Sequence, residues 1–265
     1  MDETTTRGTW VSLSQALAQR LQQHIRDGTW AAGARIPSQR ALSQRYGVSR
    51  ASLREALMTL ETLGLLRSEP GRGTFVAWPG PAAPQIAPWR HAGTASQASV
   101  FEARIMLEST IAAACARQGG SDAQAELIAL TDVMEAAWRS GDLIAHVEAD
   151  HAFHACLADR CGNPVLQGLY HSLREMLQET QRLPIPVTPD SRMAQSLDEH
   201  RRIARAVAEG DAAAAHDAMS DHIAHTARCA GIALHVAPRA AGLPRGAPVV
   251  KQPSDAPPDA GATDG

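Results

Sequence analysis

Four residues of this chain have types and spacings that suit a metal ion. Asp150 and His154 stand four apart in EADHAFHACLADRCGNPVL, so on a helix they share one face. His200 lies in SLDEHRRIARAVAEGD and His222 in AMSDHIAHTAR, on either side of a break at Gly210-Asp211. His200 is about ten residues before that break and His222 about eleven after it, so an antiparallel helix pair would set them level. One carboxylate and three imidazoles form a borderline donor set suited to zinc, nickel, iron or manganese. The chain holds eleven histidines, and His151, His216 and His225 flank the four, so ordinary surface histidines are the competing reading at this point. A second chemistry sits far upstream. Arg50 and Arg54 are one turn apart near the start of a predicted helix, and an arginine fork can grip guanine O6 and N7 or a phosphate.

The elements around the arginines follow from pattern. Val11, Leu13, Leu17, Leu21 and Ile25 recur at helical spacing, and Gly28 and Gly33 bound the exit. Ser38 follows Pro37 as an N-cap for a short helix to about Arg45, Gly47 makes the turn, and Ser49 caps the next helix. That helix carries Leu53, Leu57 and Leu60 inward and ends at Gly64. Leu65–Arg67 and Thr74–Val76 read as short strands joined by the tip Glu69-Pro70-Gly71-Arg72-Gly73. A helix in the major groove presents its N-terminal residues to base edges, here Ser49, Arg50 and Arg54. Arg40 suits phosphate or the groove edge, while the small Gly71 and Gly73 let the hairpin tip enter a minor groove with Arg72 adding charge.

The elements around the histidines are helices. Candidates span about 97–118, 122–140, 143–159, 164–180, 191–209 and 212–229, with Asn163-Pro164 as a cap-and-proline start. Ser196 to Glu199 has capping-box spacing, which predicts a fresh helix there. Pro184, Pro186 and Pro189 predict a loop over 182–190, and an all-α bundle results. The formal net charge of -3 conceals a division: residues 1–78 hold ten Arg, no Lys and six acids, and the remainder is acidic. A basic head on an acidic body fits nucleic-acid contact at one end. The predicted organisation is a head over 1–78, a proline-containing linker over 79–96, a helical body over 97–230 and a disordered tail over 231–265. Cys115, Cys156, Cys161 and Cys229 form no CxxC pair and are expected as reduced thiols. MDETTTRGTW has no signal-peptide core and no run of eighteen apolar residues occurs, so a cytoplasmic protein without a membrane span is expected.

The string PSQRALSQRYGVSR..LREAL..LE..GLL....GRGTFV resembles the winged helix-turn-helix of the GntR family of bacterial transcription regulators over roughly residues 12–76. Gln39 stands where that family more often has glutamate. The resemblance implies DNA-contacting roles for Arg40, Arg50, Arg54 and Gly73, beside Ser38, Ser49 and Arg72. Further along, D...FH....GNP and EH..I..A...GD...A...M..H resemble the FCD effector domain of the FadR-type branch, in its metal-binding version. All four of Asp150, His154, His200 and His222 match that version's ligands, and FEARIMLEST resembles its first helix. The fold implied is an N-terminal winged helix-turn-helix of three helices and a β-hairpin wing, joined to an all-α effector-binding bundle.

Four protein ligands leave an octahedral ion two positions for water or for a small acid. Zinc is the favoured ion, with nickel, manganese or iron as the others the set accepts. Arg104 is the candidate second anchor for the acid, against the alternative of a surface ion pair with Glu108. The resemblance implies small organic acids of the lactate, glycolate, pyruvate or sugar-acid class, and a polar centre suits them better than a long acyl thioester. A single head makes few base contacts, so a homodimer reading an inverted repeat is expected. The expected function is a repressor released by the acid. Two alternatives stay open: a constitutive DNA-binding dimer with a structural metal, and a metal-dependent hydrolase. The second lacks HExxH and GxSxG, and its only candidate bases are acids such as Glu148 and Asp198.

Overall fold

The computed structural model describes residues 13–77, 91, 93–119 and 121–235, with backbone alone at 121. Val11, most of the expected linker and the tail beyond 235 lie outside the described residues.

The head starts with α1 (Leu13–Arg26), whose Leu17 and Leu21 are buried one turn apart. Helix α2 (Gln39–Tyr46) begins where Ser38 Oγ accepts from Ala41 N, and it stops at Gly47, whose φ of 64° closes the turn. Helix α3 (Arg50–Thr62) begins likewise at Ser49, with Ser52 N as donor, and buries Leu53, Leu57 and Leu60. Each cap satisfies an amide that a helix start would otherwise leave unpaired. Strands β1 (Leu66–Glu69) and β2 (Gly73–Val76) pair antiparallel with Leu66 opposite Val76 and Glu69 opposite Gly73. An isolated bridge from Arg35 to Phe75 ties the hairpin back to the segment before α2.

The body contains α4 (Gln97–Gln118), α5 (Ser121–Ser140), α6 (Leu143–Asp159), α7 (Pro164–Arg182), α8 (Asp190–Ala208) and α9 (Ala212–Cys229). Helix α4 runs through the middle, buried on nearly every side from Ile111 to Ala116, where alanines allow close approach. It packs along α9 and against α7, while α5 packs on α6 and α8. Pro164 follows the Asn163 cap, whose Oδ1 accepts from Val165 N and Leu166 N.

Three details differ from expectation. Helix α8 runs unbroken through Ser196, because it starts already at Asp190 behind the extended Pro189 and buries Met193 before the capping-box spacing is reached. The proline loop is shorter than expected: α7 continues to Arg182, and Ile185–Val187 forms one 3-10 turn. In the expected disordered tail, residues 231–235 are exposed at Gly231, Ala233 and His235 but hold two partly buried side chains. Ile232 and Leu234 lie against the core, and His235 N donates to Glu102 Oε1 at 2.8 Å. Two aliphatic side chains there give the backbone something to bury.

Head and body meet along one face of α1. Gln15 and Gln19 donate to the two oxygens of Glu148 at 2.6 and 2.8 Å. Gln22 donates to Asp142 Oδ1 at 2.6 Å and accepts from Ile144 N at 3.1 Å. Arg26 pairs with Asp142 at 3.1 Å. Positions 15, 19, 22 and 26 follow the helical repeat, so one stripe of α1 grips the beginning of α6.

Candidate metal centre and DNA interface

Three helices carry the four candidate ligands. Asp150 and His154 come from α6, His200 from α8 and His222 from α9. The α8–α9 turn sets His200 and His222 level, with ring centroids 4.4 Å apart. One donor atom from each of the four residues lies within 4.8 Å of the others. His154, His200 and His222 are buried and Asp150 is half-buried.

The imidazoles are oriented from behind. His200 Nδ1 lies 2.8 Å from the Ser196 carbonyl, His222 Nδ1 lies 2.9 Å from Glu199 Oε2, and His154 Nδ1 lies 2.5 Å from Glu108 Oε2. An Nδ1–H donated by His200 and His222 to their acceptors leaves Nε2 as the free lone pair, while His154 Nδ1 stands at ion-pair distance from Glu108 without a formed hydrogen bond. Nε2 of His154 and of His200 is buried without a formed hydrogen bond, although His200 Nε2 is 3.0 Å from Asp150 Oδ1. Burial together with the neighbouring His200 pulls the pKa of His222 down to about 3, which keeps its ring neutral. Burial works against ionisation of Asp150, yet the His200 contact and the nearby imidazoles hold it well below the usual carboxylate range. A neutral imidazole set, a carboxylate and inward-facing unpartnered nitrogens fit a divalent cation in donor type and protonation.

Arg104 is wholly buried beside this cluster. Its pair with Glu108 forms, at 2.7 Å, but in the core; the surface ion pair considered from the sequence does not exist. Its Nη1 donates to Thr180 Oγ1 at 3.2 Å, and Nη2 has no partner. Arg104, Asp150, His222, Gln181 and Arg192 line one cavity of about 40 Å³. Burial opposes the charge of Glu108, but Arg104 and His154 bring its pKa down to about 2.

Sequence reading missed Glu199, Gln181 and Arg192, and saw Glu108 only as a partner for Arg104. Glu199 orients His222, accepts from His225 Nδ1 at 2.6 Å and pairs with Arg192 at 2.9 Å. Its place beside His200 was a usable signal; Gln181 and Arg192 have none short of the tertiary fold. The two acids weighed as hydrolytic bases are placed elsewhere. Glu148 is held by α1, and Asp198 is exposed beside Arg201.

At the other end, Arg40, Arg50 and Arg54 are exposed and have no ion pair or hydrogen bond among the described residues. Ser38 and Ser49, both exposed, cap α2 and α3. Arg72 at the hairpin tip pairs with Glu69 and lies over Phe75 at 5.7 Å. Gly73 has φ 117°, and a Cβ there would stand 2.6 Å from Arg35 Nε, so the fold itself requires the glycine. Among the described residues no helix is long and apolar enough to cross a membrane.

Known proteins share both halves. The family described as bacterial regulatory proteins, gntR family, matches residues 13–76, and the FCD domain matches residues 99–225. The HTH-type transcriptional regulator LutR of Bacillus subtilis is 29% identical over 214 residues, 75% of this chain and 92% of that protein. An Escherichia coli protein named as an L-lactate dehydrogenase operon regulator is 29% identical over 234 residues, 80% of this chain and 83% of its own. The Glc operon transcriptional activator of Escherichia coli is 27% identical over 174 residues, 62% of this chain and 67% of its own. A solved Streptococcus agalactiae GntR structure is 28% identical, covering 82% of this chain and 99% of that one at a TM-score of 0.42. These relatives and families are transcription regulators, not enzymes. A GntR-type DNA-binding head followed by an FCD domain makes this chain a bacterial transcription regulator of the GntR family.

Proposed function

We propose that this regulator is a homodimer that binds an inverted-repeat operator as a repressor and releases it when a small organic acid binds at a metal centre. The observation that carries the reading is the convergence of Asp150, His154, His200 and His222 within 4.8 Å beside a buried arginine with a free nitrogen. Zinc suits three imidazoles and one carboxylate, with nickel, manganese or iron as alternatives. When bound, the ion supplies a Lewis-acid point for a carboxylate. This chain's own residues do the rest: Glu108, Glu199 and the Ser196 carbonyl aim the imidazoles, and Arg104 offers Nη2 to the acid.

Residues 1–78 form the DNA-binding head, 79–96 the linker and 97–230 the effector and dimerisation body, followed by the tail. Ser49, Arg50 and Arg54 face base edges, Ser38 and Arg40 the backbone, and Arg72 and Gly73 the minor groove. The lactate operon named for one relative favours the lactate class of effector. The protein is expected in the cytoplasm, where its DNA is.

The test is metal content together with operator binding. The full chain is expected to hold about one ion per subunit, His200→Ala to lose most of it, and the metal-loaded protein to leave its operator when lactate, glycolate or a related acid is added. Full metal occupancy in His200→Ala by elemental analysis would reject the ligand assignment. Operator affinity indifferent to every acid of the class would reject the sensor.

A further inference from the structure

We infer that Gln181 sets the chemical specificity of the effector cavity, selecting a 2-hydroxy monocarboxylate over its 2-oxo and dicarboxylate counterparts. The inference rests on the effector reading above and adds the part of the ligand that no metal or arginine can read.

Gln181 sits at the end of α7 and is only 6% exposed. It lines the same cavity as Asp150, His222 and Arg104. Among the described residues neither its Oε1 nor its Nε2 has a hydrogen-bond partner, and Arg104 Nη2 is in the same condition. Its neighbour Thr180 is committed already: the hydroxyl accepts from Arg104 Nη1 at 3.2 Å and donates to Leu177 O at 2.6 Å. A buried primary amide with both ends unmet is costly unless something in the cavity answers both. The answering group must offer one acceptor and one donor, whichever way the amide is turned.

A 2-hydroxy carboxylate does this. Its hydroxyl proton meets the amide oxygen, and its oxygens accept from the amide N–H and from Arg104. A 2-oxo acid carries only acceptors and leaves the amide oxygen buried and unpaired. A site built around such a hydrogen bond discriminates by about ten- to a hundred-fold.

Charge decides against a second carboxylate. Around the cavity, Arg104 is balanced by Glu108 and Arg192 by Glu199. Asp150 would offset one of the two charges of a divalent ion. One positive charge remains, which one carboxylate neutralises; a second would be buried without a counter-charge.

The experiment is titration calorimetry of the zinc-loaded full chain with matched pairs: lactate against pyruvate, glycolate against glyoxylate, and malate as the dicarboxylate. Wild type is expected to bind a hydroxy acid about ten-fold or more tighter than its oxo partner, and tighter than malate. Gln181→Met and Gln181→Leu are expected to keep their zinc but to bind the hydroxy acid about ten-fold more weakly, so that the hydroxy-to-oxo ratio falls to within about three-fold. A ratio unchanged in both variants, or a wild type that prefers the oxo acid or malate, overturns the role of Gln181 and leaves the sensor standing. If zinc-loaded wild type binds none of these acids, the effector reading itself falls and this one with it.

Discussion

Glu199 concentrates more of the site's chemistry than any of the four metal-facing residues. One carboxylate holds His222, His225 and Arg192, so it fixes a ligand tautomer and the charge of the cavity wall together. Burial alone would make this acid weaker. The hydrogen bonds and charges of His222, His225 and Arg192 prevail and bring its pKa down to about 2. Glu199→Gln keeps the shape but can turn an amide N–H toward His222. Metal affinity is expected to fall about ten- to a hundred-fold, as read by competition with a chromophoric chelator. Unchanged affinity would show that His222 needs no such support. Glu108 stands in the same relation to His154, with Arg104 as its other partner.

Among the elements, α1 is the helix of the head that grips the body, at the beginning of α6. Gln22 is the critical residue of that contact, because it is 1% exposed and is the partner of the buried Ile144 amide. Gln22→Ala leaves that N–H unanswered, while Asp142 Oδ1 keeps Ala145 N as a donor, and is expected to cost about 1–3 kcal/mol, measured by denaturant unfolding. A loss below about 0.5 kcal/mol would mean that water replaces the side chain without penalty. This contact illustrates what a sequence can and cannot disclose. Helix limits were readable because local signals set them: Ser38, Ser49 and Asn163 cap, and Gly47 adopts positive φ at its turn. The convergence of Asp150, His154, His200 and His222 was readable because helical spacing and a symmetric hairpin bring distant positions level. Gln181 and Gln22 look like any surface glutamine until helices from elsewhere bury them. Ser196 misled for the converse reason: its capping spacing is genuine, but Met193 had already committed the chain to helix.

Across the whole molecule, acid is expected to destabilise the metal-free protein. The pKa of His222 is near 3 in the fold and near 6.5 in the unfolded chain, so between those values the unfolded state binds more protons. Stability therefore falls as pH drops from about 6.5, by on the order of 1 kcal/mol per unit for such a residue. The depressed carboxyls of Glu108 and Glu199 add the same sign of change below about 4.5. Thermal midpoints of metal-free protein at pH 7, 6 and 5 check this, and a flat series would contradict the buried neutral state of His222.

Helix α6 has a further consequence. The head grips it at Asp142, and the ion-facing residues begin at Asp150, eight residues on. At 1.5 Å per residue these points are about 12 Å apart on one rigid rod. A tilt of about 5° pivoting at the ion would move the gripped end by about 1 Å, enough to break a hydrogen bond of the Gln22 kind. A lever that short needs no unfolding and no long relay: under the proposed function, a subtle change in coordination at one end would be a change in leverage on the DNA-reading head at the other.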